Sequence, residues 1–243
     1  MKKIVLLLAF CLSVGNLFAQ DADKLRDEGD AALKAKDYAG ALAKYADYLK
    51  ATDYKDTVRI FNAGFCADQA DNPAEAAKYF DLSIQNKYNA DDAYVGKAKA
   101  YRDMNKAAEF TATVEEGLKA FPKNTNLEKM LYVYCIKNGQ AAQKKGDYKQ
   151  AEELFKDVLV VSNPTYKGNA LYSLGTMFYN KGAKALQAAT PLATSDPEKY
   201  KAEKSKADAD FKKAQEYANQ ALAIHPENAN AKKIADAVAA QLK

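Results

Sequence analysis

Four carboxylates crowd into one short stretch, KKGDYKQAEELFKDVLV (residues 144–160): Asp147, Glu152, Glu153 and Asp157, set among four lysines with Tyr148 and Phe155 between them. Paired acids beside bases are the raw material of general acid–base catalysis or of an oxygen-ligand cation site. Either chemistry needs partners converging from other segments. The chain offers few. Its one histidine, His225, stands before Pro226, which excludes His-rich metal sites and the HExxH motif and makes a Ser-His-Asp arrangement a poor candidate. No CxxC pair, phosphate-cradling GxxxxGK[ST] loop or GxGxxG turn is present. The other acid pairs, Asp91/Asp92 and Glu115/Glu116, fall in amphipathic segments where acids face water or complement the start of a helix dipole. The residues nominate no catalytic group, cofactor site or metal ligand, and the expectation is a protein that is not an enzyme.

The elements around these residues are helical by composition. Apolar residues make up 48% of the 243 and charged residues 28%, a globular balance. Alanine and lysine are abundant while β-branched residues, glycine and proline are sparse, which favours helix because Ala and Lys lose little freedom there. The formal charge is only +4, with both signs interspersed. No basic stripe marks a nucleic-acid groove.

The opening MKKIVLLLAFCLSVGNLFAQ differs from all that follows. Lys2 and Lys3, an apolar run from Ile4 to Val14 and Ala19 before a charged chain make the pattern of a bacterial signal peptide over residues 1–19, with cleavage expected after Ala19. Lipidation at Cys11 is the alternative, disfavoured by Phe10 directly before it. No other stretch is apolar enough to span a bilayer, so the mature chain is expected to be periplasmic or secreted, with a charge of about +2 once Lys2 and Lys3 leave. Cys66 and Cys135 then remain, and the repeat register below separates them too widely for a bridge.

The stretch at 144–160 has relatives. Ala41, Ala76, Phe110, Ala151 and Ala214 are followed four residues on by Tyr45, Phe80, Val114, Phe155 and Ala218. Eight residues on stand Leu49, Ile84, Leu118, Leu159 and Leu222. Twelve residues before the first four anchors come Gly29, Gly64, Ala98 and Gly139, and Gly175 is a fifth small residue of this kind. Each unit reads as two helices around a short polar turn, and several close on proline, as at Pro122 and Pro226. The pattern resembles the tetratricopeptide repeat over nearly all of residues 20–243, with Leu174–Gly175 matching that family's Leu-Gly pair. The family's tryptophan is absent; Leu25, Ile60, Tyr94, Cys135 and Leu171 stand in its place. The resemblance implies an all-α, right-handed α-solenoid of about five helix-turn-helix repeats, near 22–55, 57–90, 91–124, 125–165 and 168–228.

Two departures from the period stand out. The third and fourth anchors are 41 residues apart instead of 34 or 35, the extra seven being TNLEKML, nearly two helical turns that lengthen a helix without rotating its buried face. The fifth repeat carries an insertion of 27 residues between Gly175 and Ala214. It predicts an antiparallel helical hairpin centred on 183–210, extending about 20 Å at ~1.5 Å per residue, with Leu186, Ala189, Tyr200 and Phe211 in its seam. A capping helix is expected over 229–243.

The resemblance also implies a binding face on the first helices. Carried over position by position, it contains Phe61, Phe65, Val95, Lys99 and Arg102 from repeats two and three, and Ile136, Tyr172 and Tyr179 from repeats four and five. An aromatic patch of this kind suits a protein or peptide partner, with Lys99 and Arg102 as polar selectors. The carboxylate clamp of chaperone-binding members is not reproduced: Arg26 and Asn62 match, while Asp30, Asp92 and Gly96 break it. A protein-binding scaffold of the cell envelope is the leading expectation. A structural protein assembling through the arm and an envelope-biogenesis adaptor are the alternatives.

Overall fold

The computed structural model describes residues 21–242, and all regular structure among them is helical. The leader expected over 1–19, with Cys11, lies outside the described residues. The chain forms two compact units, Met1–Phe121 and Pro122–Lys243.

Among the described residues the first unit holds six helices: α1 (21–34), α2 (Tyr38–Ala51), α3 (Thr57–Gln69), α4 (Pro73–Gln85), α5 (Ala90–Asp103) and α6 (Ala107–Ala120). Local chemistry sets their ends. The side chains of Asp37, Asp56 and Asn72 accept hydrogen bonds from the N–H groups of Gly40, Arg59 and Glu75, capping α2, α3 and α4. Inside each repeat the first helix stops on one left-handed residue: Lys36, Asp71 and Asn105, at φ 61°, 55° and 57°. Each stop carries the same pair of bonds, as where Lys36 N–H donates to Leu33 O and Asp37 N–H to Ala32 O.

Packing within a repeat turns on the small residue of the first helix. The Tyr45 ring lies on Gly29, where an added Cβ would come within 2.8 Å of it. Phe80 lies between Gly64 and Gly96, whose Cβ atoms would stand 3.0 and 2.3 Å from the ring. In the third repeat the opposing residue is Val114, and Ala98 takes the glycine's place; both are fully buried. Small and large residues thus trade volume across the helix pair to keep interior density.

The second unit holds α7 (Thr125–Lys145), α8 (Tyr148–Asp157) with a 3₁₀ turn Val158–Val160, α9 (Pro164–Ala189), α10 (Leu192–Ser195), α11 (Pro197–Ile224) and α12 (Ala229–Gln241). Its first hairpin follows the same rule, with Phe155 over Gly139 and Gly146 at φ 83° in the turn. The additional segment begins α7, which buries Leu127, Glu128 and Leu131. The Glu128 carboxylate accepts the Ser162 N–H and, at 3.2 Å, the Asn163 N–H, tying α7 to the residues that start α9.

The α9–α11 pair is built differently. No ring separates the helices at Gly175, whose Cβ would stand 3.3 Å from Ala214 O and 3.4 Å from Ala218 N. Gly182 is met by both kinds of neighbour, Ala207 O at 3.0 Å and the Phe211 ring at 3.1 Å. Ala189, Ala207, Phe211, Ala214 and Ala218 are buried along the seam, with Leu186 and Tyr200 half-buried. Asp196 caps α11 through Lys199 N–H, with Pro197 in the first turn.

Candidate functional site

The charged stretch at 144–160 resolves into structure. Asp147 caps α8 by accepting Gln150 N–H at 3.0 Å, Glu152 pairs with Lys156 at 2.5 Å, and Ala151 and Phe155 point into the core. Among the described residues no group of three or more His, Cys, Asp or Glu side chains is placed to hold a metal ion. His225 ends α11 with its ring against Gly168, Nδ1 lying 3.5 Å from Glu227.

The first helices of the N-terminal unit carry five of the residues expected at a binding face. Phe65, on α3, is 39% exposed, and Tyr38 meets it edge-on at 5.9 Å. Phe61, one turn earlier, is half-buried in T-shaped contacts with Phe80 (5.7 Å) and Tyr88 (6.2 Å). Val95 on α5 is half-buried, while Arg102 is exposed and donates to Asp103 at 3.0 Å. Lys99 is not the free cation the sequence suggested. It pairs with Asp68 on α3 and with Asp103 at 3.4 Å. Burial works against its charge, but the two carboxylates outweigh it and hold its pKa above the ordinary lysine value.

Sequence reasoning missed the ion pairs that tie first helix to first helix. Arg59 on α3 pairs with Asp30 on α1, and Asp30 also accepts from the Tyr45 hydroxyl at 2.7 Å. Burial pushes the Asp30 carboxyl up, yet the Arg59 and Tyr45 hydrogen bonds prevail and leave it below the usual aspartate range. A pair of another kind joins a first helix to the preceding second one, Lys97 on α5 reaching Asp81 on α4 at 2.5 Å. The signal that could have exposed this ladder is an acid followed by a base about one repeat later: 29 residues separate Asp30 from Arg59 and 31 separate Asp68 from Lys99.

The other three expected residues belong to the second unit and are half-buried in its core. Ile136 and Tyr179 pack against the cluster of Phe155, Phe178 and Phe211, with Tyr179 tilted on Phe211 at 5.8 Å. Tyr172 packs against Leu171 and Ala221. The largest outward apolar group on α7 is Val133 instead, 52% exposed. Cys66 and Cys135 are buried and are not joined in a disulfide, and burial pushes the Cys66 thiol up to about 11.

Over 90% of its length the chain is similar to a TPR repeats protein of Bacteroides fragilis NCTC 9343 of known crystal structure. The identity is 46%, the TM-score 0.86, and 98% of that protein is covered. The chain belongs to the tetratricopeptide-repeat family. More distant likenesses are the TPR domain of P58(IPK), at 15% identity and TM-score 0.47 over 95% of this chain and 68% of that one, and the TPR2AB domain of yeast Sti1 in complex with pHSP90, at 15% identity and TM-score 0.35 over 92% and 98%. No family model and no curated protein matches. This tetratricopeptide-repeat protein is an all-α solenoid of helix-turn-helix units that fills the missing tryptophan positions with smaller side chains. Ile60, Cys135 and Leu171 are buried there, and Leu25 and Tyr94 are half-buried.

Proposed function

We propose that this protein is a non-catalytic scaffold of the bacterial cell envelope, holding a protein or peptide partner on the first-helix face of its N-terminal unit. The observation that carries the reading is Phe65, a large aromatic side chain left 39% exposed on a helix whose neighbours are pinned by ion pairs. Covering the part of this ring that is still exposed is worth about 1 kcal/mol, a fraction of the ~1.5–3 kcal/mol for a fully exposed side chain, and a rigid platform loses little entropy in doing so. Phe61 and Val95 extend the apolar ground, and Arg102 stands at its border. Because Arg59 and Lys99 are engaged by Asp30 and Asp68, affinity comes from apolar contact more than from salt bridges. The leader pattern at residues 1–19 supports export.

Capture from envelope extracts with wild type beside Phe65→Asp tests the reading. Phe65 is the residue to change, since Phe61 also packs on Phe80 and Tyr88 and its loss would disturb the fold. A set of proteins enriched by wild type and lost from a folded Phe65→Asp is expected; identical sets refute the face. Cell fractionation of the full chain, with and without residues 1–19, tests export separately.

A further inference from the structure

The two units carry opposite charge. Residues 21–121 hold 15 basic and 19 acidic side chains, whereas residues 122–243 hold 19 and 13. Much of the imbalance lies on two exposed helix faces. On α11, opposite the buried Ala207, Phe211 and Ala214, the exposed Ala202, Ser205 and Ala209 form a flat strip. At 100° per residue, Lys201 and Lys212 run along one edge of it and Lys206 and Lys213 along the other. Lys201 and Lys212 have no acidic partner among the described residues, Lys206 reaches Glu203 at 2.7 Å, and Lys213 lies over the Phe178 ring at 4.8 Å.

The outer face of α6 is its electrostatic counterpart. Opposite the buried Phe110, Val114 and Leu118, exposed Ala108 and Ala112 form a strip. Glu109 and Glu116 edge it on one side and Glu115 on the other, none of them ion-paired among the described residues. The two strips end alike: Lys119 stands seven residues beyond Ala112, and Glu216 seven beyond Ala209.

We propose that α11 of one copy docks on α6 of a second copy, the lysine-edged strip against the glutamate-edged one. Small residues along both strips let the helix axes approach to the ~8–10 Å of ordinary helix packing. Opposed charges on both edges then set the pairing. A parallel arrangement also brings Lys119 to Glu216, whereas an antiparallel one sets Lys119 against the lysines. Two α11 faces cannot pair with each other, since lysine would meet lysine. The contact is therefore heterologous: each copy keeps one unused face of each kind, and association continues into open chains or closes as a ring. The inference is independent of the partner-binding reading, because it leaves the Phe65 face untouched.

Sedimentation velocity of the full chain over a concentration series, at about 50 mM and about 500 mM salt, tests it. The expected result is association that grows with concentration at low salt and weakens at least tenfold at high salt. Lys201→Glu with Lys212→Glu, and separately Glu109→Lys with Glu116→Lys, should each abolish it while keeping the wild-type helical signal. Mixing these two double variants should restore association, since each now presents the charge the other lacks. A wild type that stays monomeric, variants that assemble as wild type does, or a mixture that stays monomeric overturns the proposal. A monomeric wild type that binds phosphatidylglycerol vesicles through the same lysines assigns the α11 face to an anionic membrane instead.

Discussion

The N-terminal unit and the α9–α11 pair solve one packing problem in opposite ways. In the first, a ring from the second helix fills the hollow over a glycine, as Tyr45 does at Gly29 and Phe80 at Gly64. In the second, the ring is gone from the repeat's own glycine: Ala218 stands where the aromatic residue would be, and the helix backbones meet at Gly175. Side chains that interlock set a fixed depth, so a repeat built that way is short and ends in a tight turn. Alanine against glycine lets the close approach run on past Gly175, to Gly182 where Ala207 O and the Phe211 ring both lie against the helix, and on to the buried Ala189. The insertion replaces the turn, and with it the left-handed stop residue present at Lys36, Asp71, Asn105 and Gly146.

The largest effect is expected where backbone opposes backbone. Gly175→Leu should destabilise the second unit by about 3 kcal/mol in urea unfolding, and Ala218→Gly should not rescue it, because the obstruction is the main chain. Rescue would mean that the helices can part without cost. At the ring-filled sites a partner can yield. Gly139→Ala should cost about 2 kcal/mol, and Phe155→Val, which copies the Ala98/Val114 pairing, should recover part of it, with a coupling of about 1 kcal/mol or more. Additive losses would show that the volumes are not traded.

Electrostatics distinguishes the units on a smaller scale. Asp30→Asn should cost about 1 kcal/mol or less at neutral pH, since the pair with Arg59 is partly exposed and screened. The Asp30 carboxyl lies below its ordinary value in the folded state. Its contribution is therefore complete above the unfolded value of ~3.9 and is lost as pH falls through the lower folded one. The stability gap between wild type and variant should close over that acid range, and a constant gap would point to packing instead of charge. The stop residues act on a similar scale: Gly146→Ala should cost about 1 kcal/mol, and the smallest effect is Asp71→Gly, which should gain about 0.5 kcal/mol by relieving a left-handed non-glycine. Cys66 and Cys135, one buried thiol in each unit, allow labelling kinetics to assign each loss to its unit.

Short-range features were legible from residue types alone. The glycines under the rings and the long α9–α11 helices follow from spacing within one or two helices. Interactions that leap a repeat were not: Asp30–Arg59 and Asp68–Lys99 depend on how helices stack, and Lys99 consequently read as an available cation. Phe61 and Phe65 looked equivalent because both are aromatic at family positions. Only packing separates the ring wedged against Phe80 from the one at the surface. Ile136 and Tyr179 read as face residues for the same reason, since a helical wheel does not show which neighbouring helix will cover an edge. Glu128 gave no warning at all, its partners being backbone N–H groups 34 and 35 residues away.

The central claim is that binding resides on the exposed aromatic face of the N-terminal unit, apart from the charged face of α11. Quantitative capture from envelope extracts, comparing wild type, Phe65→Asp and the Lys201→Glu/Lys212→Glu variant at matched folding, tests it most directly. The account predicts partners lost with Phe65→Asp and retained with the lysine variant. Partners retained by Phe65→Asp, or lost only with the lysine variant, would contradict it.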